Sequence, residues 1–319
     1  MAKIAVELER ALGQRALNGG PGHTAARMLA QGDGWTVSDV VCTSGPADRS
    51  FEERHAGFSI AIVAAGSFQY RSWAGCELMT PGSLLLGTAG QCFECEHKHG
   101  MGDRCLSFGY SPEYFESIAS DAGARDSKPQ FRTLRVPPIR PLSTLIARAY
   151  AGLAGLANVP WEELSVKLAA QTVELVGGLS SNPREISPSA VARVTRTVRM
   201  IERSPDAGLT LERMASEARL SPYHFLRIFE RLTGVTPHQY VLRARLRNAA
   251  MRLAVGNARV LDIALDCGFG DVSNFNHAFR AEFGVSPRVH RLRTQGDSKV
   301  VVLEQDTGQG SPLSHAVTF

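Results

Sequence analysis

The spacing of apolar positions changes twice along this chain. Residues 1–34 are polar and become Gly-rich, with one short helix predicted around Ala5–Leu17. From Trp35 to about Tyr110 the pattern is short β-like runs separated by turns: Trp35–Cys42, Phe58–Val63, Phe68–Trp73, Leu84–Leu86 after a Pro81-Gly82 turn, and Cys105–Tyr110. Short strands with frequent Gly and Pro predict a small antiparallel barrel or sandwich. From Pro141 the period becomes helical. Leu142, Leu145, Ile146, Ala149 and Leu153 form one stripe, and Leu164, Leu168, Ala169, Val173 and Val176 form a second. This helical hairpin should end at Gly177-Gly178, and Ser180–Pro188 has linker composition.

Beyond the linker, Val191, Val194, Val198 and Ile201 predict an amphipathic helix that stops at Ser204-Pro205. One structural phrase is then written twice, LTLERMASEARLSPYHFLRIFERLTGVTP from Leu209 and RVLDIALDCGFGDVSNFNHAFRAEFGVSP from Arg259. Phe225, Phe229, Gly234 and Pro237 recur fifty positions later as Phe275, Phe279, Gly284 and Pro287. Leu211 and Ala215 recur after forty-nine as Val260 and Ala264, so one residue is inserted in the turn of the second copy. Each copy reads as a short helix, a tight turn and a second helix, the arrangement that sets a helix into a major groove. A longer helix from about Pro237 to Leu253 joins them, and residues after Gln295 show no helical period. Thr236-Pro237 and Ser286-Pro287 are N-caps followed by proline at the first helical position.

The expected fold class is α+β: residues 1–135 a β-rich, effector-sensing domain, and 136–187 a helical connector suited to dimerisation. Residues 188–295 form an all-α double helix-turn-helix module, and 296–319 a tail. A chain of 319 residues can bury two cores. Between Pro188 and Gln295 lie 17 arginines, no lysine and nine acidic residues, a net +8 that leaves −4 for the rest. That asymmetry fits nucleic-acid binding at one end. The N-terminus is acidic and lacks the apolar core of a secretion signal, and no apolar run approaches the ~20 residues that span a bilayer. Six cysteines do not resemble a disulfide scaffold, so a cytoplasmic, reducing setting without a membrane partner is expected.

Packing Phe225, Ile228, Phe229 and Leu232 inward leaves Tyr223, His224, Arg227, Glu230 and Arg231 outside. Packing Phe275, Ala278, Phe279 and Phe283 inward exposes Ser273, Asn274, Asn276, His277 and Arg280. Arg pairs bidentately with guanine and Asn with adenine, while Ser and His make single bonds to base edges. Arg243, Arg245, Arg247 and Arg288 are assigned to phosphates, which fix register without reading sequence.

These residues carry a resemblance. Ile263-Ala264, Cys267-Gly268-Phe269-Gly270-Asp271, Ser273-x-Phe275-x-x-x-Phe279 and Phe283-Gly284-Val285-Ser286-Pro287 form its main signature. Ser221, Phe225, Arg227, Phe229, Thr233-Gly234, Tyr240, Arg245 and Ala249 support it from the first copy. Over about Ala190–Arg293 the chain resembles the DNA-binding domain of the AraC/XylS family of bacterial transcription regulators. The resemblance implies seven helices, two recognition helices in neighbouring major grooves, and activation through RNA polymerase. It also implies an N-terminal sensor, a cupin-like small β-barrel followed by helices used to form a homodimer. His277 departs from the pattern, since relatives often carry Arg there.

Within the β-rich part, Gln91–Cys105 reads QCFECEHKHGMGDRC. Cys92, Cys95, His97, His99 and Cys105 are candidate ligands for zinc or another thiophilic metal. On a strand, Cys95, His97 and His99 would share one face, with Cys92 and Cys105 coming from adjoining turns. A Cys92–Cys95 thiol sensor and a plain small-molecule pocket are the competing readings. Cys42, Cys76 and Cys267 are expected as buried small hydrophobes. Asp103-Arg104 reads as a turn with a local ion pair, with Arg104 able to meet an anionic effector. The leading function is an effector-responsive, non-enzymatic regulator binding double-stranded DNA. The alternative is a repair protein that accepts alkyl groups on a cysteine.

Overall fold

A computed structural model describes residues 2–50, 52–123, 130–176 and 187–295 of the protein. Helix α1 (Ala2–Asn18) precedes nine strands: β1 (Thr24–Gly32), β2 (Trp35–Cys42), β3 (Glu52–Arg54), β4 (Phe58–Gly66), β5 (Phe68–Ser72), β6 (Gly75–Met79), β7 (Leu84–Gly87), β8 (Cys92–Glu96) and β9 (Asp103–Tyr110). Helix α2 (Pro112–Asp121), the short strand β10 (Arg135–Val136), and helices α3 (Ser143–Leu153) and α4 (Trp161–Val176) follow. The C-terminal half is helical: α5 (Pro188–Arg203), α6 (Leu211–Glu217), α7 (Pro222–Thr233), α8 (Pro237–Val255), α9 (Val260–Asp266) and α10 (Val272–Phe283), with residues 287–295 also helical. This is the expected α+β plan, a small β-barrel with helices ahead of an all-α module.

Two antiparallel sheets make the barrel, in the orders β1-β2-β9-β4-β7-β10 and β3-β8-β5-β6. Strand β4, inside the larger sheet, is buried on both faces, which explains its almost unbroken apolar run. Ile60 and Ile62 face a core shared with α1, α2, α3 and α4, whereas Ala61 and Val63 face the lumen with Phe68, Tyr70 and Met79. Alternation continues on β9, where Phe108 and Leu106 join the outer core and Cys105 joins the lumen.

All five expected strands are present, joined by β1, β3, β6, β8 and β10. Strand β1 is largely exposed and carries no apolar alternation, so no pattern marks it. Asp103-Arg104 is the start of β9 and not a turn. Arg104 is buried beneath α1 with its guanidinium on Asp39 (2.8 and 2.9 Å) and on the Ile4 carbonyl (2.9 Å), which closes it to an effector. Cys267 is buried as expected, but Cys76 is exposed. Gly177-Gly178, most of the linker and the tail 296–319 lie outside the described residues.

The two halves touch. Leu78 of β6 is buried in the core of the first helix-turn-helix unit, and Arg135 donates to the Thr233 carbonyl at the end of α7 (2.7 Å). Helix α3 buries Leu145, Ile146 and Tyr150 in the outer core of the barrel, while its Ala147 enters the core of the second unit. The Ser143 hydroxyl also bonds Glu282 of α10.

Candidate nucleic-acid interface and lumen site

Both helix-turn-helix units are terminated by the same chemistry. The hydroxyl of Ser221 caps α7 and the carboxylate of Asp271 caps α10, each accepting from the third backbone amide that follows. Gly234 (φ +78°) and Gly284 (φ +74°) close them in the left-handed conformation. Phe225 and Phe229 are fully buried at 5.3 Å between ring centroids, and their counterparts Phe275 and Phe279 stand at 5.5 Å. The inserted residue is Gly270, because Leu220 and Phe269 are still forty-nine apart while the caps Ser221 and Asp271 are fifty apart.

Anchoring these aromatic faces turns the opposite faces outward. Tyr223, His224, Arg227 and Arg231 of α7 are exposed, as are Ser273, Asn274, Asn276, His277 and Arg280 of α10. The Arg227 guanidinium lies 5.8 Å from the Tyr223 ring centroid, which holds both side chains on one surface.

Three of the four arginines assigned to phosphates are corrected. Arg247 is buried and donates to Glu202 at 2.6 Å. Arg245 spends its guanidinium on the carbonyls of Pro205, Ala207 and Gly268, at 2.7, 3.2 and 2.8 Å. Arg243 pairs with Glu282 at 3.2 Å. All three sit on α8 and tie it to its neighbours, because the linking helix is enclosed between the two units and the barrel. Arg288 alone of the four is exposed.

The proposed metal ligands are also redistributed. Strand β8 ends at Glu96, so His97 and His99 leave it through a turn. Cys95 and Phe93 pack against the lumen core, which places Cys92, three residues from Cys95, on the other face. That separation removes the Cys92–Cys95 thiol pair. Cys105 lies in the lumen and donates to Asp103 at 3.2 Å. The group that converges among the described residues is instead Cys42, His97 and Asp103, all buried, with one ligand atom from each within 4.8 Å of the others. Cys42 is therefore more than the buried hydrophobe expected from sequence. Register creates the cluster, since Cys42 of β2 lies opposite Asp103 of β9.

His97 Nε2 is 2.6 Å from Asp103 Oδ1, whereas its buried Nδ1 has no hydrogen-bond partner. Burial opposes charge on the His97 ring, but Asp103 and Cys42 outweigh it and raise its pKa to about 9. Burial likewise pushes the Cys42 thiol up, yet the adjacent imidazole prevails and holds it below its ordinary value. Burial drives Cys95 and Cys105 well above theirs. Cys42, Cys95 and His97 line a recess of about 600 Å³, counting its open mouth, with Ser44, Asp48, Arg49, Glu53 and Lys98 among the surrounding residues.

Comparison with known proteins finds two matching regions of the chain. Residues 39–171 match the AraC-like ligand binding domain and residues 214–293 match a helix-turn-helix domain. The HTH-type transcriptional activator AarP of Providencia stuartii is 32% identical over 96 residues, which are 30% of this chain and 71% of the relative. The XylDLEGF operon transcriptional activator 1 of Pseudomonas putida is 32% identical over 123 residues, covering 38% of this chain and only 37% of that protein. A solved regulator with an AraC-type DNA-binding domain from Chromobacterium violaceum aligns at 25% identity with a TM-score of 0.32, covering 34% of this chain and 96% of that one. No helix among the described residues is long and apolar enough to cross a membrane.

Proposed function

Because the chain belongs to the AraC/XylS family of transcription regulators, we propose that it activates transcription by setting α7 and α10 into successive major grooves on one face of a duplex. The observation that carries this reading is the pair of helices with buried phenylalanines behind and exposed polar edges in front. Arg227, Arg231, Asn274, Asn276 and Arg280 are the base readers, assisted by Tyr223, His224, Ser273 and His277. Arg288 meets a phosphate. The barrel half receives a small-molecule or metal effector, and α3, shared between the barrel core and the second unit, carries its effect to the DNA-binding half. RNA polymerase and a second copy of the chain are the protein partners. The relatives support no alkyl-transfer reading, since those compared are named as regulators and activators.

Footprinting of the full chain on a selected operator tests the arrangement. Two protected major-groove segments about one helical turn (~10 bp) apart on the same face are expected for each chain. With α10 altered at Asn274 and Asn276, only the segment facing that helix should lose protection. A single protected segment, or two on opposite faces, overturns it.

A further inference from the structure

The lumen cluster has a donor set that the DNA-binding role does not use. Cys42 comes from β2, His97 from the turn after β8 and Asp103 from β9, and none of the three is near another in sequence except the last pair. Sulfur and imidazole nitrogen together are the donors of a borderline-soft ion, and hard cations would favour oxygen alone. A buried ring nitrogen without a partner is costly unless something takes its lone pair or its proton. His97 Nδ1 is such an atom. Its other nitrogen is held by Asp103 at 2.6 Å, the carboxylate–imidazole arrangement that orients a metal-binding histidine.

We propose that the barrel lumen binds one zinc-class metal ion through Cys42 Sγ and His97 Nδ1, with Asp103 positioning the ring and the open recess supplying the rest of the coordination shell. Binding releases the Cys42 thiol proton and the proton on His97 Nδ1 to solvent, so an S–metal and an N–metal bond replace one S–H and one N–H bond. Cys92 takes no part, because it lies on the other face of β8. This deepens the effector-responsive reading, and ion binding is measured separately from DNA affinity, so either can fail alone.

Full-length protein stripped with chelator and titrated with Co²⁺ provides the test. One Co²⁺ per chain should bind, with a thiolate charge-transfer absorption that Zn²⁺ displaces. Cys42→Ser should abolish that absorption, Asp103→Asn should weaken affinity roughly 10–100-fold, and Cys92→Ser should leave both unchanged. Wild-type protein that shows no thiolate–Co²⁺ absorption overturns the proposal. So does an absorption that survives Cys42→Ser or disappears in Cys92→Ser. Should the Cys42 variant fail to fold, Zn²⁺ protection of wild-type Cys42 from iodoacetamide, read by peptide mass, decides the matter. Protection supports the site, and equal alkylation with and without Zn²⁺ overturns it.

Discussion

Arg247 and Glu202 form an ion pair of 2.6 Å buried between α8 and α5, with the Tyr240 ring beside the guanidinium. Removing the arginine leaves a carboxylate stranded without water. Arg247→Ala should therefore destabilise the protein by about 3–5 kcal/mol. Urea unfolding checks this. The salt dependence of DNA binding by the remaining folded protein should be unchanged.

Arg288 supplies the contrast, since it is exposed beyond the second unit. Arg288→Ala should leave the unfolding midpoint nearly unaltered. Affinity should weaken about equally on specific and unrelated duplexes, and the slope of log K against log salt should fall by about one. Titrations at several salt concentrations measure that slope.

Arg227 is exposed on the polar edge of α7. Arg227→Ala should cost about 1–3 kcal/mol on the selected operator and relax preference at one base pair. Binding to a library of singly substituted operators checks it. Equal loss on every sequence would transfer this side chain to the phosphates.

Arg219, at the corner between α6 and α7, has a φ of +52°, the left-handed conformation that its counterpart Gly268 adopts without a side chain. Arg219→Gly should stabilise the protein by about 1 kcal/mol. At Gly268 the reverse change has no room, because an added Cβ would stand 2.8 Å from Asp206 Cα. Thermal unfolding of both single variants should show opposite signs.

His55 stacks on Phe93 at 4.1 Å and bonds the Tyr70 hydroxyl at 2.7 Å, and burial pushes its imidazole down from 6.5 to about 4. Between those values the unfolded chain takes up a proton that the folded protein refuses, so stability falls as pH drops through that window. From pH 7 to pH 5 this group should remove about 2 kcal/mol. Urea unfolding at the two pH values should show a smaller loss in His55→Gln.

Much of the helical half was legible because its signals are local. Caps, glycine stops and paired phenylalanines each lie within a dozen residues, and α7 and α10 follow directly from them. The N-terminal barrel was legible only where apolar runs are dense, as in β2 and β4. Exposed β1 and the short β3 depend on partners elsewhere in the chain. Burial of α8 on several sides at once hid the fates of Arg243, Arg245 and Arg247, since a surface arginine and a clamped one look the same in sequence. Cys42 and Asp103 are sixty-one positions apart and meet only through the β2–β9 register. No motif could have joined Cys42 to His97.

Helix α8 gives Tyr240, Val241 and Ala244 to one core and Leu246, Ala249, Ala250 and Leu253 to the next. It works as a ruler as well as a joint. One residue added near its middle would advance the downstream unit by about 1.5 Å and swing it by roughly 100°. The two polar edges would then point in directions that no straight duplex could satisfy together. The number of residues in this span therefore constrains operator geometry as strictly as the identity of any side chain that meets a base.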